Sequence, residues 1–290
     1  MSWLIAGTVP DENFPLVQGK GEVKDGLLYV ADRSIRIARG TPALAAFVCQ
    51  AALEMNVQSP EVLLTGDTGK GEGSRKLYAH LVQNMNSLEF RGFTFHYLLP
   101  DVYWHNQVLW AIQKKLDKPC LVADAGFMYV AKMSGFAEDY DLFTPDIGEM
   151  CFLADETAPH PFYTRGFLLE DETRVDEYID RAYAEKSAAR HLMVKGSSDY
   201  VVQDGRILST VSRPCWEAME AIGGTGDSLT GIITALLMAG QNIPDACVTA
   251  ALVNRYLGVL GRPSPANSIA DLLPYLGQAM QEAMTEVQNI

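Results

Sequence analysis

Cysteine is scarce and scattered. Cys49, Cys120, Cys151, Cys215 and Cys247 lie far apart and form no Cys-x-x-Cys pair. That excludes a disulfide framework and a thiolate zinc site, and points to a reduced, cytoplasmic chain whose thiols act as small hydrophobes. The histidines, at 80, 96, 105, 160 and 191, lack metal-ligand spacing, so no built-in metal site is expected. Long apolar runs are missing as well. The best, GIITALLMAG at 231–240, is far short of the roughly 20 residues a membrane helix needs. The opening MSWLIAGTVPDENF has neither the basic nor the apolar region of a secretory leader. Positive charge is the last deficit: 23 Lys and Arg face 36 Asp and Glu, for a formal net charge of −13. Such a surface repels polyphosphate backbones and anionic lipid, which argues against nucleic acid or a membrane as partner. An anionic ligand must then be held by local devices: backbone N–H groups, helix N-termini and a few basic side chains.

No Pro/Ser-rich or single-charge stretch offers a linker, and no internal repeat is present. A single domain over residues 1–290 is expected, with 1–40 its least readable part. From about residue 60, short β-branched runs alternate with longer amphipathic stretches. Strands are expected at 61–67, 93–99, 120–124, 141–146 and 191–195, with a hairpin at 199–210. Helices are expected at 74–85, 104–116, 126–134, from 148, and 172–190. The last third reads as helices at 227–239, 244–260 and 268–287, and Leu272, Leu273, Leu276, Met280 and Met284 of the last one read as core in preference to a subunit contact. Before residue 60 only strand pieces at 27–38 and a helix at 42–55 are legible. Alternation of this kind predicts an α/β fold, a three-layer α/β/α sandwich around a mostly parallel sheet. Ligands of such sheets sit at the carboxyl ends of the strands. The strand-to-helix turns therefore deserve the closest reading.

The densest turn is Gly223-Gly224-Thr225-Gly226-Asp227, which opens an apolar helix with Leu229, Ile232, Ile233, Leu236 and Leu237 on one face. Glycines let several N–H groups converge on one point, where the helix dipole adds positive charge. That suits a transferring phosphoryl group, with Asp227 beside it to deprotonate an attacking hydroxyl. The plain alternative is that Asp227 caps its own helix. A second turn, Lys195-Gly196-Ser197-Ser198-Asp199, ends a strand with a lysine that can reach a phosphate, or that simply points to water. In LLTGDTGKGEGS, 63–74, Gly69, Gly71 and Gly73 form a loop that is no P-loop, since neither Lys-Ser nor Lys-Thr follows the last glycine. Asp124 in LVADAG, and Asp146 and Glu149 in FTPDIGEM, could each be a ligand contact or a turn former.

Taken in order, the glycine turn, ADAG, TPDIGE, VKGSSDYVVQDG and GGTGDSLTGII resemble the ribokinase-like superfamily, and within it the nucleotide-dependent NAD(P)H-hydrate dehydratases. The resemblance covers about 40–260. It implies a ribokinase-like sandwich in which Lys195, Gly196, Ser197, Ser198, Asp199, Gly224, Thr225 and Gly226 contact ATP or ADP. Asp227 becomes the catalytic base. On the substrate side stand Ala43, Gly69, Gly71, Asp124, Asp146 and Glu149. The implied reaction phosphorylates the hydroxyl of a hydrated nicotinamide cofactor and then expels phosphate, with Mg²⁺ carried by the nucleotide. A homo-oligomer is also implied. The chain departs from the family pattern on the substrate side. Asp146 and Ile147 stand where the family has His and Pro, Val122 replaces the first Asp of Asp-Ala-Asp, and Gly-Asp-Thr-Gly-Lys-Gly replaces Gly-Pro-Gly-Leu-Gly. A small-molecule alcohol kinase of the same fold, or a catalytically silent nucleotide-binding protein, therefore stays open.

Overall fold

The computed structural model describes residues 2–156 and 172–288; His160 lies outside them. Eleven strands form one sheet: β1 (Trp3–Val9), β2 (Val17–Lys24), β3 (Leu27–Val30), β4 (Arg33–Arg36), β5 (Glu61–Gly66), β6 (Gly92–His96), β7 (Cys120–Asp124), β8 (Leu142–Phe143), β9 (His191–Val194), β10 (Asp199–Gln203) and β11 (Arg206–Val211). Their order across the sheet is β11-β10-β9-β8-β7-β6-β1-β5-β2-β3-β4. The block from β9 to β5 is parallel, and antiparallel strands extend it at both ends.

Nine α-helices cover the two faces among the described residues: α1 (Thr41–Glu54), α2 (Glu72–Asn84), α3 (Val102–Gln113), α4 (Gly126–Met133), α5 (Ile147–Leu153), α6 (Val175–Ala184), α7 (Thr225–Met238), α8 (Ile243–Gly261) and α9 (Leu276–Gln288). Buried side chains of α1, α7, α8 and α9 form one core with Trp3 and Ile5. Those of α2 to α6 form the other with Leu4 and Ala6. β1 thus feeds both layers, every one of its residues being buried. That is the pattern of a central parallel strand, which reads as a continuous apolar run without alternation.

The expected α/β/α sandwich is present, and the differences lie at the ends. The first 40 residues hold β1 and three antiparallel strands, where only fragments were legible. The strand expected at 141–146 is regular only at Leu142–Phe143; around Pro145, which has no N–H to donate, it thins to an isolated parallel bridge between Asp146 and Lys195. The helix expected over 268–287 is a 3-10 turn at Ile269–Tyr275 followed by α9, the change coming at Pro274. Leu272, Leu273, Leu276 and Met280 are buried, as expected of core. Cys215 is exposed, unlike the small-hydrophobe role expected of it. No helix among the described residues is long and apolar enough to cross a membrane.

Candidate active site

The carboxyl ends of β1, β6 and β7 and the N-termini of α1 and α7 meet at one point. Gly224, with φ 101°, is the N-cap of α7 and offers no side chain to its first turn. Asp227 therefore does not cap its helix. Its Oδ2 accepts the Gly40 N–H at 2.5 Å, and its Oδ1 lies 3.1 Å from His96 Nε2. The Asp227 side chain is 12% exposed. Burial pushes its pKa up, but the His96 hydrogen bond and charge, the Gly40 N–H and Lys195 outweigh that and hold it below the ordinary carboxylate value. Asp227 is thus held as a carboxylate, the protonation state a base requires.

His96 is almost wholly buried and was not singled out by the sequence beyond its lack of metal spacing. Its Nδ1 lies 3.1 Å from Thr41 Oγ1, and its Nε2 lies 3.7 Å from Asp124 Oδ2. With the Asp227 and Asp124 carboxylates both facing it, Nε2 carries a proton and donates it to Asp227. Asp124, at the end of β7, is itself fully engaged. Lys195 Nζ sits 3.0 and 3.2 Å from its two oxygens, Thr230 Oγ1 donates at 2.7 Å, and the Ala125 N–H donates at 2.8 Å. Burial alone would lower the Lys195 pKa, but Asp124, Glu149 and Asp146 hold it above the usual lysine value.

Two clefts flank this cluster. The larger, about 570 Å³, is lined among others by Arg39, Gly40, Gly69, Tyr97, Tyr129 and Glu149, and lies within the range typical of small-molecule sites. Asp146 and Glu149 make a reciprocal capping box at the start of α5. The other Glu149 oxygen accepts the Tyr129 hydroxyl at 2.9 Å. Burial, and then the nearby Asp146, push the Glu149 pKa up to about 8, with Lys195 pulling the other way. The smaller cleft, about 130 Å³, is lined by Gly196, Ser197, Asp199, Trp216, Thr225 and Arg255, with others. Arg255 holds its floor together. It donates to Asp199 Oδ2 at 2.9 Å and to the Ser197 and Ser212 carbonyls. Asp227 lies between residues of the two clefts: two positions beyond Thr225 of the small one, and bonded to the N–H of Gly40 of the large one.

Residues 99–281 match the family model described as NAD(P)H-hydrate dehydratase, most of the chain and all of the small cleft. The chain belongs to the NAD(P)H-hydrate dehydratase family. Among similar proteins, an uncharacterised protein of Methanocaldococcus jannaschii is 34% identical over 225 residues, which is 77% of this chain and 92% of that one. The ADP/ATP-dependent NAD(P)H-hydrate dehydratase of Bacillus subtilis, co-crystallised with ATP and Mg²⁺, superposes with a TM-score of 0.56 at 15% identity, covering 98% of this chain and 91% of its own. A ribokinase-like superfamily protein of Enterococcus faecalis gives a TM-score of 0.56 at 12% identity, over 97% and 87% of the two chains. At those identities the structures establish the ribokinase-like fold.

Within this member of the dehydratase family, the residues expected to contact a nucleotide fall at or beside the small cleft. Gly196, Ser197, Asp199 and Thr225 line it. Ser198 is half-buried in the same turn, Gly224 and Gly226 open α7, and a Cβ on Gly226 would lie 3.5 Å from Lys195 Nζ. On the other side, Gly69 and Glu149 line the large cleft and exposed Asp146 serves as the α5 cap. Asp124 is buried under Lys195. Ala43 is fully buried in α1 and presents no surface to the cleft. The loop around Gly69 and Gly71 is closed on itself. Asp67 accepts the N–H groups of Gly69, Gly71 and Ser74 and the Ser74 hydroxyl, so an internal carboxylate already occupies the nest that a ligand anion would take. The sequence missed His96, Thr41, Tyr97 and Arg255. A histidine at a strand's carboxyl end, in FTFHY, was the one available signal.

Proposed function

We propose that this family member is a nucleotide-dependent enzyme that phosphorylates a substrate hydroxyl in the large cleft, with Asp227 as the base. The observation that carries the reading is the placement of an ionised, nearly buried Asp227 between two clefts, with no role as a cap. Asp227 takes the hydroxyl proton. The hydroxyl oxygen bonds to the terminal phosphorus of ATP or ADP, and the bond to the bridging oxygen breaks, releasing the shortened nucleotide. The open first turn of α7 faces the developing negative charge with unpaired N–H groups. In the dehydratase reading, which we favour, the substrate is hydrated NADH or NADPH. Its carbon–oxygen bond then breaks, phosphate leaves with the electron pair, and loss of a proton from the adjacent carbon restores the ring double bond.

Among the described residues no group of three or more His, Cys, Asp or Glu side chains could hold a metal alone. Mg²⁺ generally keeps waters and binds through substrate phosphates with one or two carboxylates. The chain thus fits a cation that arrives on the nucleotide and there neutralises phosphate charge. At about 130 Å³ the small cleft is below the usual ligand-site volume, so the base of the nucleotide would lie in an open groove beside Trp216.

The test is direct. Hydrated NADH with Mg²⁺ and ATP or ADP should regain its reduced-nicotinamide absorbance, and Asp227→Asn should slow this by roughly 10²–10⁴-fold while keeping nucleotide affinity. No recovery with either nucleotide refutes the dehydratase. A kinase that retains its phosphorylated product is the second reading, favoured by Asp146 and Val122 standing at altered substrate-side positions; it predicts ATP consumption with an alcohol and no elimination. Nucleotide binding without turnover of either substrate class, and with nothing measurable lost in Asp227→Asn, would instead mark a silent nucleotide-binding protein.

A further inference from the structure

Tyr97 follows His96 at the end of β6 with φ 51°. A bulky side chain in the left-handed region is an outlier that persists only where its surroundings impose it. Two contacts impose it here. The Thr8 hydroxyl donates to the Tyr97 carbonyl at 2.6 Å. Gly7 lets the neighbouring backbone close in, since a Cβ there would lie 2.3 Å from the His96 carbonyl oxygen. The strain turns the aromatic ring outward rather than into the core: Tyr97 is 52% exposed and lines the large cleft. Its ring meets the His96 ring edge to face, with centroids 4.4 Å apart and planes at 89°. A Cβ on Gly40 would be 3.8 Å from Tyr97 Cδ2, so a glycine leaves the ring's flank open next to the N–H that holds Asp227. The phenol hydroxyl has no partner among the described residues.

We propose that Tyr97 is a stacking platform that packs against the face of an uncharged or cationic nitrogen heterocycle in the large cleft, on the wall beside Asp227. The charge preference follows from the neighbours. Asp227 and Asp67 stand on this side of the cleft as carboxylates, Lys195 balances Asp124, and Arg39 is the one cation among the described residues of the cleft wall. An electron-rich ring face backed by carboxylates attracts a cationic or neutral ring and repels an anionic one. Stacking is tolerant of the ring's identity, so the platform orients a class of compound, and the polar groups select within it. The inference rests on the proposed function only in placing the reacting hydroxyl in this cleft.

Binding measured by calorimetry separates the two claims. The probes are nicotinamide riboside, whose ring is cationic, pyridoxine, and D-ribose as the compound without an aromatic ring. Tyr97→Gly should weaken nicotinamide riboside by roughly tenfold, leave D-ribose unchanged, and melt within about 2 °C of the parent, because glycine relieves the left-handed strain. Tyr97→Phe keeps the ring face and should restore binding to within twofold. Ring binding within twofold of the parent in Tyr97→Gly overturns the platform, as does an equal loss in Tyr97→Phe, or a parent that binds neither ring compound. A large drop in melting temperature with loss of ATP binding would also overturn it, by showing a structural role. If hydrated NADH is not repaired yet ring binding depends on Tyr97, the proposed function fails and this inference stands.

Discussion

Replacing Lys195 by methionine keeps most of the side chain's volume and removes the ammonium that neutralises Asp124. Lys195 lies 3.0 and 3.2 Å from the two Asp124 oxygens, and the side chains are 13% and 3% exposed. Water cannot replace the lost partner at that depth. Breaking one side of a buried pair typically costs about 3–5 kcal/mol, because the remaining charge stays desolvated. For a chain of this size each kcal/mol lowers the melting temperature by about 2 °C, so Lys195→Met should melt roughly 6–10 °C below the parent. Asp124→Asn in the same chain removes the stranded charge; its single oxygen can keep the Ala125 N–H, while its amide nitrogen then donates to the Thr230 hydroxyl, and the change should recover at least half of the loss. Thermal denaturation followed by circular dichroism reads both. A single variant melting within 2 °C of the parent, or a second change that recovers nothing, refutes the idea that this pair is a buried electrostatic unit. ATP affinity in the double variant then reports on Lys195 as a phosphate contact, separately from its partnership with Asp124.

Glu149 provides a pH test. Its folded pKa, about 8, stands above the unfolded value. The folded protein thus holds a proton that the unfolded chain has lost between about pH 4.5 and 8. Stability should fall with rising pH across that window, by at most about 1.4 kcal/mol per pH unit. Glu149→Gln should flatten the slope in melting curves, and an unchanged slope would count against it. A Cβ on Gly7 would also lie 2.4 Å from Thr41 Oγ1. Gly7→Ala should therefore cost roughly 1–3 kcal/mol by overpacking and reduce turnover without altering any side chain at the site; urea unfolding and steady-state rates check the two effects. Trp216 lines the small cleft, so ATP should change the protein's tryptophan fluorescence, and Trp216→Phe should remove the change without abolishing binding by calorimetry.

Much of the frame is legible in the sequence because strand-turn-helix units announce themselves locally. β7 matches its expected bounds, and α7 starts two residues before its apolar periodicity suggested. β1 was lost because WLIAGTV is short, buried on both faces, and so carries no alternation to separate it from a helix fragment. The candidate site divides along the same line. Lys195-Gly196 and Gly224 to Asp227 are contiguous motifs and could be found. His96 could not, because its meaning lies in partners far along the chain, Asp124, Asp227 and, at a separation of 55 residues, Thr41. Asp227 alone resembles a cap; only the Gly40 N–H, 187 residues away, shows that its carboxylate turns elsewhere.

The position of β1 has a consequence for how the chain can be handled and assembled. Residues 3–9 leave the ribosome before either strand that flanks them, β5 at 61–66 and β6 at 92–96. The sheet cannot grow outward from its middle during synthesis; the seam stays open until both neighbours exist. Cutting away these few residues would split the sheet into two halves rather than trim an edge. It would also remove Gly7 and Thr8, on which the His96 and Tyr97 corner rests.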